Sequence, residues 1–173
     1  MKIAETPYKK LKHIKLKNGE KLPTLKNYLK KGKKLDIQLI LEIKSLPTKA
    51  MEDKAVENIV KMVRKMKLEK QVEYIAFSLN VCEQLAKLTP ESEIAYLNGD
   101  VAPAELKKKG INGIDYHYNV IEKHPEWVKE AHDLGMKVNV WTVNKEDMMK
   151  KLIDRKVDYI TTDQPLELKK LLE

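Results

Sequence analysis

A glutamate and a lysine stand two residues apart inside an apolar run, Ile40-Leu41-Glu42-Ile43-Lys44-Ser45. Side chains of an extended strand alternate between faces, so Glu42 and Lys44 point the same way while Leu41 and Ile43 point the other. Charges so placed are expensive unless they pair, reach water or serve a ligand. Two structural readings are a buried Glu42–Lys44 ion pair and an edge strand whose charges face solvent. The functional reading has the carboxylate binding a divalent cation while the lysine holds an anionic substrate.

Other chemistry-bearing residues are sparser. In Val138-Asn139-Val140-Trp141-Thr142-Val143-Asn144 the alternation puts Asn139, Trp141 and Val143 on one face. If Val138 and Val140 face helices, Trp141 lines a pocket mouth; a tryptophan there serves equally well as core filler. Asp115-Tyr116-His117-Tyr118 holds the one histidine at a strand end, so His117 is the local candidate for acid–base work, set against a structural role for a histidine with no visible partner. His13, His124 and His132 fall on turns or helix surfaces, and no pair has zinc-site spacing. Asp163 is read as the N-cap of a final helix rather than as a catalytic group. The single cysteine, Cys82, excludes an internal disulfide and reads as a small buried hydrophobe on a helix.

These residues need elements to position them. Six short β-rich runs alternate with amphipathic segments: Asp36 to Lys44, Val72 to Ser78, Glu93 to Leu97, Ile111 to Tyr118, Lys137 to Val143, and Val157 to Thr162. Several are apolar on both faces, as buried parallel strands are. A helix over Thr48 to Lys67 carries Met51, Ala55, Ile59, Met62 and Met66 at helical spacing, expected as its packing face. Another starts at Pro125 and stops before Gly135, with Trp127, Val128, Ala131 and Leu134 inward. A third is expected to be capped by Asn144 and to bury Met148, Leu152 and Ile153; a last one runs from Pro165 to Leu172. The first 35 residues differ, with a short helix near Pro7 to Leu11, a turn at Asn18-Gly19 and a helix opening at Pro23-Thr24.

Six βα pairs suggest either a doubly wound sheet or an incomplete eight-stranded barrel. No Gly-rich phosphate loop follows any strand, which removes the main support for the doubly wound option. The expected fold is α/β, an incomplete TIM-type barrel of about six parallel strands with helices outside. In both architectures ligands gather at the C-terminal ends of the strands, where Glu42, Lys44 and Trp141 fall.

The chain has 173 residues, 42% apolar and 35% charged, which suits one domain spanning 1–173: a lead-in over 1–35 and six βα units over 36–173. No apolar run approaches the roughly 20 residues of a membrane span, and Met1-Lys2-Ile3 leads into no signal-like stretch, so a soluble cytoplasmic chain is expected as written. The net charge of +8 raises nucleic acid as a partner, but the basic residues are almost all lysine and read as solvated helix faces interleaved with glutamate. No nucleic-acid partner is expected.

Four segments resemble the glycerophosphodiester phosphodiesterase family. Leu22-Pro23-Thr24-Leu25 is similar to its P-T-L helix start, Leu41-Glu42-Ile43-Lys44 to its L-E-I-K strand, and Val140-Trp141-Thr142-Val143-Asn144 to its W-T-V-N strand end. Val157-Asp158-Tyr159-Ile160-Thr161-Thr162-Asp163-Gln164-Pro165 resembles its closing G-V-D-x-I-x-T-D-x-P signature. The resemblance implies a TIM-type barrel that hydrolyses glycerophosphodiesters to glycerol 3-phosphate and an alcohol with Mg or Ca. It further implies Glu42 as a metal ligand, Lys44 as a phosphate-facing lysine and Trp141 as an aromatic pocket wall.

The family's H-R-G, E-N-T, E-x-D and H-D motifs do not occur here. They supply the catalytic histidines and two further metal carboxylates, so the resemblance implies the C-terminal two-thirds of the barrel, with an incomplete site and no turnover; a non-catalytic module that binds phosphate or polyol is the alternative. Smaller departures are Ala76 in place of a serine and Lys156 in place of a glycine. Without the first two barrel strands, the strand of Glu42 and the last strand become open edges, and self-association through them, strand exchange or compensation by the first 35 residues is expected.

Overall fold

A computed structural model describes residues 3–173; the charged start Met1-Lys2 lies outside them. Six strands form one parallel sheet in strict chain order: β1 (Leu39–Glu42), β2 (Val72–Ala76), β3 (Ile94–Tyr96), β4 (Gly113–His117), β5 (Lys137–Trp141) and β6 (Tyr159–Ile160). Each falls inside a run expected from the sequence; β2 and β5 start at the expected residue and are trimmed only at their C-terminal ends, and the other four are trimmed at both. The order leaves β1 and β6 as the two edges. The sheet curls into a half-barrel, because side chains of β2's end and of β5 meet across it although β3 and β4 lie between them.

Alternation decides which side chains fill the core. On β1, Leu39 and Leu41 are buried and so is Ile43 just beyond, whereas Ile40, Glu42 and Lys44 face the concave side. Val138 and Val140 are likewise fully buried on the outer side, against α7 (Glu126–Asp133). The concave face would form the interior of a closed barrel; here it opens between the two edges.

Helices cover the convex face. Thr24, Thr48 and Ser78 cap α2 (Leu25–Gly32), α3 (Lys49–Met66) and α4 (Leu79–Leu88), each hydroxyl accepting a backbone N–H three residues on. In the lead-in, α1 (Tyr8–Leu11) and the positive-φ Gly19 of the turn fall where the sequence puts them. The helix α3 ends on Lys67 in the left-handed region.

Three local expectations are corrected. The buried stripe of α3 is Glu52, Val56, Val60 and Val63; Met51 is exposed, and Ile59, Met62 and Met66 are only partly buried. Because α3 is flanked by α2 and α4, its apolar surface is wider than the strip facing the sheet, and periodicity alone cannot tell flank from centre. Asn144 does not cap α8 (Glu146–Asp154), which starts after Lys145 without a side-chain cap and buries Met149 and Leu152, leaving Met148 and Ile153 partly covered. Asp163 does not cap α9 (Pro165–Leu172); Gln164 holds that position. The two side chains bond each other, Asn144 Nδ2 donating to Asp163 at 2.8 Å while Asn144 Oδ1 accepts the Asp163 N–H at 2.8 Å. A tie between the ends of β5 and β6 outcompetes two local caps.

Candidate functional site at the mouth of the half-barrel

The rim is built from the residues that leave the C-terminal ends of the strands. Lys44 follows β1 and donates to the carboxylate of Glu42. Its ammonium also lies 5.7 Å from the Phe77 ring centroid, within cation–π range. Phe77, leaving β2, meets Trp141 of β5 edge-on at 5.8 Å, and Trp141 meets His117 of β4 edge-on at 5.1 Å. The Trp141 indole N–H donates to the Asp115 carbonyl at 2.8 Å, which pins the ring over the concave face. An ion pair and a belt of three rings thus run around the mouth from β1 to β5.

Of the two structural readings of Glu42 and Lys44, the edge strand with solvent-facing charges holds and the buried ion pair does not: the two pair with each other on an edge strand, in contact with solvent. They also share the face that carries Phe77 and Trp141, with Lys44 largely exposed and Glu42 one-third exposed. Trp141 is half-buried on the concave side with ring contacts to both neighbours, a wall of the mouth. His117 sits at the mouth too. Its Nδ1 accepts the Asn119 N–H at 3.2 Å, capping α6 (Tyr118–Lys123), and no carboxylate bonds its ring among the described residues. Three histidines lie elsewhere: His13 is exposed in the lead-in, His124 stacks on Trp127 at 4.2 Å, and His132 bonds Asp158 at 3.0 Å. Cys82 is fully buried, and burial pushes its thiol up to about 12.

Two residues gained importance only from tertiary structure. Asp115, on β4, is 2% exposed, and its Oδ1 has no hydrogen-bond partner among the described residues. Burial, reinforced by the nearby Glu42 carboxylate and opposed by Asn139, raises it to about 7. A signal was present in the sequence: Asp115 is a charge inside an apolar strand, like Glu42. Glu52, near the start of α3, is buried and accepts from the Leu46 N–H at 3.2 Å, Ser78 Oγ at 2.8 Å and Asn80 Nδ2 at 3.0 Å. One carboxylate therefore ties the loop after Lys44 to the loop after Phe77. Its spacing of four from Val56 and eight from Val60 places it on the inner stripe.

Below the rim lies a cavity of about 250 Å³ whose lining includes Ile40, Ile75, Asp115, Asn139, Tyr159 and Thr161. Glu42, Lys44 and Trp141 stand above it rather than in its walls. No group of three His, Cys, Asp or Glu able to hold a metal occurs among the described residues. Glu42 is thus a solitary candidate ligand, already engaged by Lys44, and this chain's residues do not make up a complete site for a hard cation. No described helix is long and apolar enough to cross a membrane.

Comparison with known proteins gives a consistent result. The model of the Glycerophosphoryl diester phosphodiesterase family matches residues 1–167. A glycerophosphodiester phosphodiesterase of Caldanaerobacter subterraneus subsp. tengcongensis is 27% identical over 151 residues, 85% of this chain and 60% of that protein. The crystal structure of a glycerophosphodiester phosphodiesterase from Parabacteroides distasonis superposes with a TM-score of 0.94 at 49% identity, over 96% of this chain and 70% of that one. An Oleispira antarctica phosphodiesterase, solved in complex with its product sn-glycerol-3-phosphate, shares the fold with a TM-score of 0.82 at 19% identity, over 98% of this chain and 72% of that one. The chain spans about three-fifths of the length of the curated relatives it matches.

Proposed function

This chain belongs to the glycerophosphoryl diester phosphodiesterase family, and from that membership we propose that its rim holds the phosphate and glycerol end of a glycerophosphodiester or of glycerol phosphate without hydrolysing it. Lys44 would meet the phosphoryl oxygens, Trp141 would wall the glycerol, and Glu42 would contribute one carboxylate toward a Mg or Ca site that needs ligands from outside this chain. The observation that carries the reading is the gathering of Lys44, Glu42 and Trp141 around one concave mouth at the C-terminal strand ends, where parallel α/β folds bind ligands.

Hydrolysis of a phosphodiester needs a proton acceptor, a leaving-group acid and cations to absorb charge on the phosphoryl oxygens. Lys44 supplies one cation. Among the described residues His117 is the one histidine at the mouth, and its Nδ1 is spent on a helix cap. Loss of each acid–base group lowers a rate by about 10² to 10⁴, so turnover by this chain is expected at background.

The test is direct. Glycerophosphocholine with magnesium, coupled to glycerol 3-phosphate detection, should give no product, while titration with glycerol 3-phosphate should show binding that Lys44→Ala weakens. Product formation that Glu42→Ala abolishes would overturn the inactive reading; binding unaffected by Lys44→Ala would overturn the assignment of the rim.

The edges favour a second property. Both β1 and β6 present unpaired backbone groups, and Ile40 and Tyr159 beside them are exposed. Such edges recruit strands, so self-association through them is proposed, read by the mass of the chain in solution across a concentration series.

A further inference from the structure

Charge is divided unevenly along this chain. Twelve of the 34 basic residues but only three of the 26 acidic ones fall in residues 1–36, so that stretch carries +9 and the remainder −1. The interleaving of lysine with glutamate expected from the sequence holds for the remainder, where Lys109 pairs with Glu83, Lys129 with Asp133 and Lys151 with Glu122. It fails for the lead-in. Among the described residues no lysine from Lys9 to Lys34 forms a salt bridge, and all of them are exposed. Only Lys33 has a hydrogen bond, donated to the Met66 carbonyl.

The same stretch concentrates solvent-facing apolar side chains. Of the eleven exposed large hydrophobic residues among those described, seven lie within the first 40, including Tyr8, Leu16, Tyr28 and Ile37. The helix α2 shows the arrangement: Leu25, Leu29 and Gly32 pack inward, while Tyr28 stands exposed among Lys26, Lys30 and Lys31. Cations without counter-ions, set among exposed apolar side chains, suit a segment lying in the headgroup zone of an anionic bilayer. The ammonium groups meet lipid phosphates, and the aromatic and aliphatic groups enter the boundary with the acyl chains. A nucleic acid would engage the charges but offers little to Leu16 or Ile37, and the segment contains no arginine to fork phosphates or bases.

We propose that residues 8–37 dock this chain peripherally onto the surface of an anionic phospholipid bilayer. The proposal is independent of the reading of the rim. Attachment depends on screening, since the Debye length shrinks from about 10 Å at 0.1 M salt to about 3 Å at 1 M. It also depends on the apolar groups, which salt does not weaken.

The experiment is co-sedimentation of the full chain with vesicles of phosphatidylcholine alone and of two parts phosphatidylcholine to one of phosphatidylglycerol. Binding to the mixed vesicles at about 0.1 M salt, release at about 1 M and no binding to phosphatidylcholine are expected. Combined Lys26→Glu, Lys30→Glu and Lys31→Glu substitutions should lower partitioning at least about tenfold, the three ammonium groups having no partners to lose. Should that variant fail a thermal-melt check, Lys9→Gln with Lys10→Gln and Lys12→Gln serves in its place. Tyr8→Ser with Leu16→Ser should lower partitioning several-fold at unchanged charge. The proposal is overturned by no binding to mixed vesicles, by equal binding to phosphatidylcholine, or by indifference to the lysine substitutions. Retention of duplex DNA as tight as that of mixed vesicles, with no effect of Tyr8→Ser and Leu16→Ser on either, would assign the segment to nucleic acid instead.

Discussion

The ammonium of Lys44 reaches back along its own strand to the carboxylate of Glu42, so the two charges at the mouth of the half-barrel neutralise each other where no ligand intervenes. Lys44 is largely exposed, and exposed pairs contribute about 0–1 kcal/mol. Lys44→Ala should therefore change stability by less than about 1 kcal/mol in urea unfolding while weakening glycerol 3-phosphate binding. A large loss of stability would show that the pair serves the fold rather than a ligand.

Asp115 sets a pH dependence of unusual sign. Its folded-state value, about 7, lies above the ordinary 3.8, so the folded state favours the protonated form. That stability is fully present below about pH 3.8 and is lost as pH rises through about 7. Asp115→Asn should remove this slope and, at pH 8, make the protein more stable by on the order of 2–4 kcal/mol. Denaturant midpoints of both proteins between pH 5 and pH 8, flat for each, would contradict the assignment.

Glu52 holds the two loops that carry Lys44 and Phe77. Replacing it by alanine strands the Leu46 N–H, Ser78 and Asn80 as well as opening space, and should cost about 2–4 kcal/mol. Glu52→Gln keeps the volume and one acceptor oxygen, and should cost roughly half as much. Urea titrations of the two variants give the comparison, and equal losses would argue against the hydrogen bonds as the cause.

Lys156 has φ of 62°, a conformation that suits glycine, and is one of the positions where the chain departs from the family pattern. A left-handed conformation costs a side-chain-bearing residue about 1–2 kcal/mol, partly offset in glycine by the greater freedom of its unfolded state. Lys156→Gly should therefore raise stability by about 0.5–1 kcal/mol, measured as a higher melting temperature. A lower one would mean that Lys156 makes contributions beyond its backbone.

Cys82 should be chemically silent. Its thiol is fully buried with a value near 12, so at pH 8 the reactive thiolate is scarce and the reagent is excluded. A maleimide should label the native chain far more slowly than the chain in denaturant; equal rates would contradict the packing of α4.

What the sequence determined by itself is the set of elements and the face each presents. Alternation along Leu39–Glu42 and Lys137–Trp141 is a local property of extended chain, so the shared face of Glu42 and Lys44 and that of Val138 and Val140 follow from residue order alone, while the packing of the two valines against α7 is settled by the fold. The two edges, β1 and β6, fall where the resemblance to the family led them to be expected. Tertiary structure decided the contacts between residues distant in the chain. The belt from Phe77 through Trp141 to His117 exists because the sheet curls, and curvature is a property of six strands together rather than of any one. Asn144 and Asp163 each match the pattern of a helix cap, yet they bond each other because the ends of β5 and β6 lie side by side. Glu52 and Asp115 carry the same lesson: a carboxylate's role depends on which donors surround it once buried, and those donors come from segments that only the folded chain brings together.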